Sequence, residues 1–107
     1  MITGKFIYEG NVKVEFPDRA LAHLQLAITT KIRRAEPFAF SWKEDVSTGG
    51  GRTIVWIHPG SSLVFKWEGS QPSTMDRTWV EALILTASSP SSLYLVPEPA
   101  KNSPAAE

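Results

Sequence analysis

The sequence predicts an α+β fold: a mainly antiparallel six-stranded sheet with two helices on one face, in the order ββαβββαβ. Three observations predict it. Apolar residues alternate at period two in several short runs, most clearly Phe38, Phe40 and Trp42. Two longer runs repeat at the helical period, Leu21, Leu24, Ile28 and Ile32 in the first and Met75, Trp79, Ala82, Leu83 and Thr86 in the second. Glycine, proline and serine clusters separate these runs, which keeps every connection short. The alternative to an open sheet is one curled strongly towards a barrel, because six short strands can close on themselves.

The elements follow in order. Lys5 to Tyr8 and Val12 to Phe16 flank Glu9-Gly10-Asn11 and read as a hairpin. Pro17-Asp18 opens the first helix, and Lys31, Arg33 and Arg34 fall where the C-terminal end of the helix dipole favours cations. Glu36-Pro37 stops it. His23 is placed on the polar side of this helix, in a stripe with Arg19, Thr30 and Arg34 that Arg33 flanks. Phe38 to Lys43 is a strand, and the loop "EDVSTGGG" leads to Arg52–His58, which is apolar on both faces and therefore expected in the centre of the sheet. After Pro59-Gly60, the alternation of Leu63, Phe65 and Trp67 completes a three-stranded meander. Thr74, or Ser73 with Asp76 three residues on, caps the second helix, whose wide apolar arc predicts deeper burial than the first. Leu93 to Val96 makes a last short strand. Residues 1–99 are expected to form one domain, and 100–107, "AKNSPAAE", a disordered tail.

Composition narrows the function classes. At 107 residues and 42% hydrophobic content the chain carries enough apolar surface for one core. Eleven basic and eleven acidic residues cancel, which removes the broad positive field of a dedicated nucleic-acid binder. The absence of cysteine excludes disulfides, thiol nucleophiles and thiolate metal sites. No run has the length of a signal peptide or membrane span, so a cytoplasmic location and no membrane partner are expected.

Four stretches invite a chemical reading. Lys66-Trp67-Glu68-Gly69 is a loose copy of the lysine-x-acid-glycine motif on which ATP-dependent DNA ligases carry AMP. Such a lysine needs further acids for metal ions and further lysines, yet after Gly69 the charged residues are Asp76, Arg77, Glu81, Glu98, Lys101 and Glu107. Strand alternation explains Lys66 as an outward residue. "STGGGRT" exposes glycine amides but leads into a strand, without the spacing of a phosphate-binding loop, and reads as a hairpin loop that only Arg52 would sharpen into an anion site. His23 and His58 lack a third ligand at metal-site spacing, so no metal and no cofactor are expected. Arg19, Arg33 and Arg34 could contact phosphates, although a solvated helix face is the favoured account, because amphipathic helices need polar exteriors and the net charge is zero.

Taken together, "DRALAHLQLAI", "FAFSWKED", "GGGRTIVWIHP", "LVFKWEGS", "DRTWVEAL" and "LYLVPEP" resemble a small bacterial family of unknown function, DUF7882, across Lys5 to Pro99. Its members are widely labelled "ATP-dependent DNA ligase" or DNA ligase-like. The resemblance implies no established catalytic residues. It singles out His23, Trp42, Arg52, Trp56, His58, Gly69, Arg77 and Trp79, of which Trp79 is explained as core. The expectation is a non-catalytic binding module, associated with DNA repair or other nucleic-acid machinery, with Arg52, Trp56, His58 and Arg77 as binding residues and a protein partner or small anion as ligand. Nucleic-acid binding, if present, is expected to be weak. The alternatives are a ligase-like or other nucleotide-dependent enzyme centred on Lys66, and a structural homodimer that pairs sheet edges or open faces.

Overall fold

A computed structural model describes residues 3–44, 49–69, 75–89 and 92–99. The order is β1 (Thr3–Tyr8), β2 (Val12–Pro17), α1 (Asp18–Arg33), β3 (Phe38–Lys43), β4 (Arg52–Ile57), β5 (Leu63–Trp67) and α2 (Arg77–Ala87). The α+β class holds, but the single six-stranded sheet, open or strongly curled, does not. The strands form a three-stranded antiparallel sheet, β2-β1-β5, and a two-stranded antiparallel sheet, β3-β4.

The expected meander breaks between β4 and β5, because β5 pairs with β1, Phe65 opposite Phe6 and Leu63 opposite Tyr8. A reciprocal clip steers it there. The Glu9 N–H donates to the Ser62 carbonyl at 2.8 Å, and the Ser62 N–H donates to Glu9 Oε2 at 2.9 Å. This holds the β1–β2 turn, where Glu9 and Gly10 have φ of 53° and 80°, against the β4–β5 connection. The expected last strand contracts to one parallel bridge between Leu93 and Phe40, closed by Leu93 N–H to Ala39 O and Ser41 N–H to Leu93 O.

Aromatic packing joins the two sheets. Phe6 of β1 meets Phe40 and Trp42 of β3 edge-on, at ring-centroid distances of 5.4 and 6.3 Å, and Phe65 of β5 at 5.4 Å. Phe16 of β2 stacks on Phe40. The inward residues are therefore those of the period-two runs.

The helices do not share one face of one sheet: α1 packs on β1, β2 and β5 and along α2, whereas α2 also touches β3. Gly4 makes the approach of α1 possible. A Cβ there would lie 2.6 Å from Leu21 Cδ2 and 2.7 Å from the Lys66 carbonyl oxygen. Gly4→Ala is expected to destabilise the fold by about 2 kcal/mol, the scale of an overpacked core. Chemical denaturation checks this, and an unchanged midpoint would show that the strand moves freely away from α1.

The order of burial also reverses the expectation. Nine of the sixteen residues of α1 are buried against four of the eleven of α2, because α1 lies between the three-stranded sheet and α2. Asp76 caps α2, its carboxylate accepting from Thr78 N–H and Trp79 N–H. Ser73 and Thr74, the expected caps, lie outside the described residues, as does the tail. The segment after Leu93 is pinned at two further points. Trp79 Nε1 donates to the Val96 carbonyl at 2.8 Å, and Arg19 forms a two-pronged ion pair with Glu98 at 2.9 and 2.7 Å. Among the described residues no helix is long and apolar enough to cross a membrane.

Candidate functional site

The residues singled out from sequence do not converge. Arg52 and Trp56 share the outer face of β4, but Arg52 lines a cavity of about 300 Å³ with Lys43, Glu15 and Tyr94, its Nε donating to Ser41 Oγ at 3.3 Å. Arg77, at the first turn of α2, lines a groove of about 530 Å³ between the helices with Arg34 and Glu81. His58 braces the turn after β4, where Nδ1 accepts from Gly60 N–H at 3.1 Å. Arg33 is exposed at the end of α1. Arg19 is held by Glu98, whose hydrogen bond keeps the guanidinium pKa raised against the opposing effect of burial. The expected basic stripe is thus divided among separate environments.

His23 is not on the polar side of α1; it is fully buried. Its Nδ1 lies 2.7 Å from the Arg19 carbonyl and its Nε2 accepts the Asp76 N–H at 2.8 Å, so the ring carries its proton on Nδ1. It packs on Trp79 with ring centroids 4.4 Å apart. A buried imidazole with both nitrogens satisfied is a core residue, and that is the physical reason for the correction. Lys66, by contrast, is exposed between Phe65 and Trp67, as strand alternation requires.

The expected centre of the sheet, β4, is an edge. Its apolar residues divide between the core, where Val55 and Ile57 are buried, and an open face, where Ile54 and Trp56 are 64% and 55% exposed. The β3 groups Ala39 O and Ser41 N–H point to Leu93, away from β4. Their partners Trp56 and Ile54 therefore turn their backbone groups to the free edge of β4. Tyr8 Oη donates to the Trp56 carbonyl at 2.7 Å and so occupies part of this edge.

Trp56 also borders a cleft of about 680 Å³, larger than the cavity at Arg52 and the groove at Arg77. Phe38, Ala39 and Pro37 line it on the strand side, and Lys31, Glu36, Ser88, Ser89 and Ser92 bring polar groups. The ends of both helices meet here. Lys31 is 5% exposed, and its Nζ donates to Ser88 Oγ and Glu36 Oε1, each at 2.9 Å. The hydrogen bond from Lys31 holds the Glu36 carboxyl below the ordinary carboxylate range, with the charges of Lys31 and Arg34 acting in the same direction. A depressed folded-state pKa means that the pair's contribution is complete above the ordinary carboxylate range and is lost as pH falls through the folded value, so the pair is intact at neutral pH.

Backbone strain marks the same place. Ala35, with φ 58°, and Ser92, with φ 81°, both line the cleft in a conformation that residues with a Cβ rarely adopt. At Ala35 the cause is the end of α1: Ala35 N–H donates to Ile32 O and Glu36 N–H to Lys31 O, the paired bonds that close a helix through a left-handed residue. Ala35→Gly is accordingly expected to raise stability by about 1 kcal/mol, the left-handed penalty less the entropy of glycine. A lower melting temperature in that variant would contradict this account.

The family resemblance pointed to Trp56, but Lys31, Glu36 and the serines were missed as site residues. Lys31 does carry a signal: it stands three residues after Ile28 and four after Ala27, on the buried stripe of α1, where a lysine needs a partner. The serines, at the end of α2 and before the Leu93 bridge, carry none.

The fold and the site define a small α+β protein with an open, mixed-polarity cleft at the meeting point of two helix ends and a short sheet. The chain belongs to the family described as Domain of unknown function (DUF7882), which matches residues 3–98. No curated protein and no solved structure matches it.

Proposed function

We propose that the protein is a non-catalytic binding module whose ligand site is the cleft beside Trp56. One observation carries this reading: a large aromatic side chain stands 55% exposed at the border of a cleft that also contains a nearly buried, ion-paired lysine. Concave sites that combine apolar walls with a few fixed polar groups are where small ligands bind. Support against catalysis comes from the placement of the candidate groups. His23 is a core residue, His58 braces a turn, and Lys66 stands on the outer face of β5 away from the cleft. Among the described residues, no three histidines or acids cluster as metal ligands.

The nucleic-acid association is the weaker form of this reading. Arg19 is engaged by Glu98, and Arg34 and Arg77 share their groove with Glu81, so the expected stripe offers a duplex no continuous row of uncompensated cations. A homodimer through β4 would have to displace the Tyr8 hydroxyl from the Trp56 carbonyl, and we therefore place a ligand at this face ahead of a second copy.

The test is a titration of the full chain with a panel of neutral sugars, nucleosides, nucleotides, amino acids and short duplex DNA, followed by tryptophan fluorescence and by the indole N–H resonances. The expected result is saturable binding of one small-molecule class that Trp56→Ala weakens. Binding of duplex DNA alone, or binding indifferent to Trp56, would overturn the assignment.

A further inference from the structure

Resting on the reading of this cleft as the ligand site, we infer that its ligand is a neutral sugar ring, as a free hexopyranose or the terminal residue of a glycan. Charge is the first reason. The ionised side chains lining the cleft are Lys31 and Glu36, bonded to each other at 2.9 Å, so the site has no net charge to offer an anion. A phosphate or carboxylate would meet the Glu36 carboxylate, while Arg52, Arg34 and Arg77 line other cavities.

The second reason is the pairing of one aromatic face with a dense set of donors and acceptors. The C–H bonds on one face of a pyranose carry partial positive charge and pack against the negative face of an indole, while the hydroxyls around the ring demand both donors and acceptors. Trp56 supplies the indole. Lys31 Nζ spends two protons on Ser88 and Glu36 and has a third to donate, and Glu36 Oε2 can accept. Such a pair can engage two adjacent hydroxyls at once, one as donor and one as acceptor. The Ser92 hydroxyl, donating to Ser41 Oγ at 3.1 Å, has its lone pairs to receive another.

The third reason is that the polar groups are held before any ligand arrives. Lys31 is fixed by burial and by two partners, and Ser92 by its strained backbone and the adjoining Leu93 bridge. Preorganised groups keep the ordering cost of binding low, which a weakly attractive neutral ligand requires.

The experiment is an NMR titration of the full chain with methyl glycosides of glucose, galactose, mannose and N-acetylglucosamine, with adenosine, AMP and inorganic phosphate as comparison probes. The expected result is a saturable shift of the Trp56 indole resonance by at least one glycoside at millimolar dissociation constant or tighter. Trp56→Ala should weaken that glycoside about tenfold or more, equivalent to one stacking contact. Glu36→Gln, a change at a half-exposed residue that leaves the fold intact, should weaken it about fivefold. Failure of every glycoside while AMP, phosphate or adenosine saturates a Trp56-dependent site would overturn the sugar and leave the cleft as the binding site. Binding of any probe unaffected by Trp56→Ala, or no binding at all, would overturn both.

Discussion

Replacing His23 by alanine is expected to destabilise the protein by about 4 kcal/mol, chiefly from the cavity left in a packed core, with a further part from a partly buried donor left without its acceptor. The ring joins the two helices. Its Nε2 holds the Asp76 N–H at the start of α2, its face packs on Trp79, and its Nδ1 is anchored one turn back on α1. Because the same Asp76 caps α2 with its carboxylate, loss of the imidazole should loosen the first turn of that helix as well. His23→Phe separates the contributions: the stack survives, the hydrogen bonds do not, and about half the loss should remain. Urea unfolding followed by far-UV circular dichroism measures both, and a loss below about 1 kcal/mol for His23→Ala would show that the ring is not the link between the helices.

A loss of similar size, about 4 kcal/mol, is expected for Phe6→Ala. Among the described residues no hydrogen-bonded ladder joins the two sheets, so their attachment depends on side chains, and Phe6 touches Phe40 and Trp42 on one side and Phe65 on the other. Against a total stability of about 5 to 15 kcal/mol for an ordinary domain, the variant should retain little margin. The characteristic signature is a loss of near-UV circular dichroism, reporting these aromatics, ahead of the far-UV signal. Coincident loss at an unchanged midpoint would show that other contacts join the sheets.

The limits of sequence reading follow from what periodicity encodes. Alternation identifies a strand and the residues that share a face, and it correctly grouped Phe38, Phe40 and Trp42 on one buried face and Val55 with Ile57 opposite Ile54 and Trp56. It does not name the neighbouring strand. Leu63, Phe65 and Trp67 present the same apolar face to any partner, and the choice of β1 is made by contacts such as the Glu9–Ser62 clip between two turns far apart in sequence. Arg52–Ile57 illustrates a second ambiguity. An apolar outer face means burial in a central strand and exposure in an edge strand, and the residues alone do not separate the two. His23 was misplaced, and the burial of Lys31 at the last turn of α1 was missed, because each is polar by type, although their helical positions put them on the buried stripe with Ala20, Leu24, Ala27 and Ile28. Their partners, Asp76 on the other helix and Ser88 at its end, come together only in three dimensions.

The pairing of β1 with both β2 and β5 has a consequence for synthesis. The β1–β2 hairpin can form as soon as its residues leave the ribosome, but Phe6 then has neither Phe65 nor the aromatics of β3 to cover it, and one edge of β1 stays open until residue 67 has emerged. The Val96 and Glu98 contacts come later still. Contacts so distant in sequence make loop closure the slow step. The nascent chain therefore carries an uncovered aromatic strand until β5 has emerged, and its interval of greatest exposure to misassociation ends only when Val96 and Glu98 have followed.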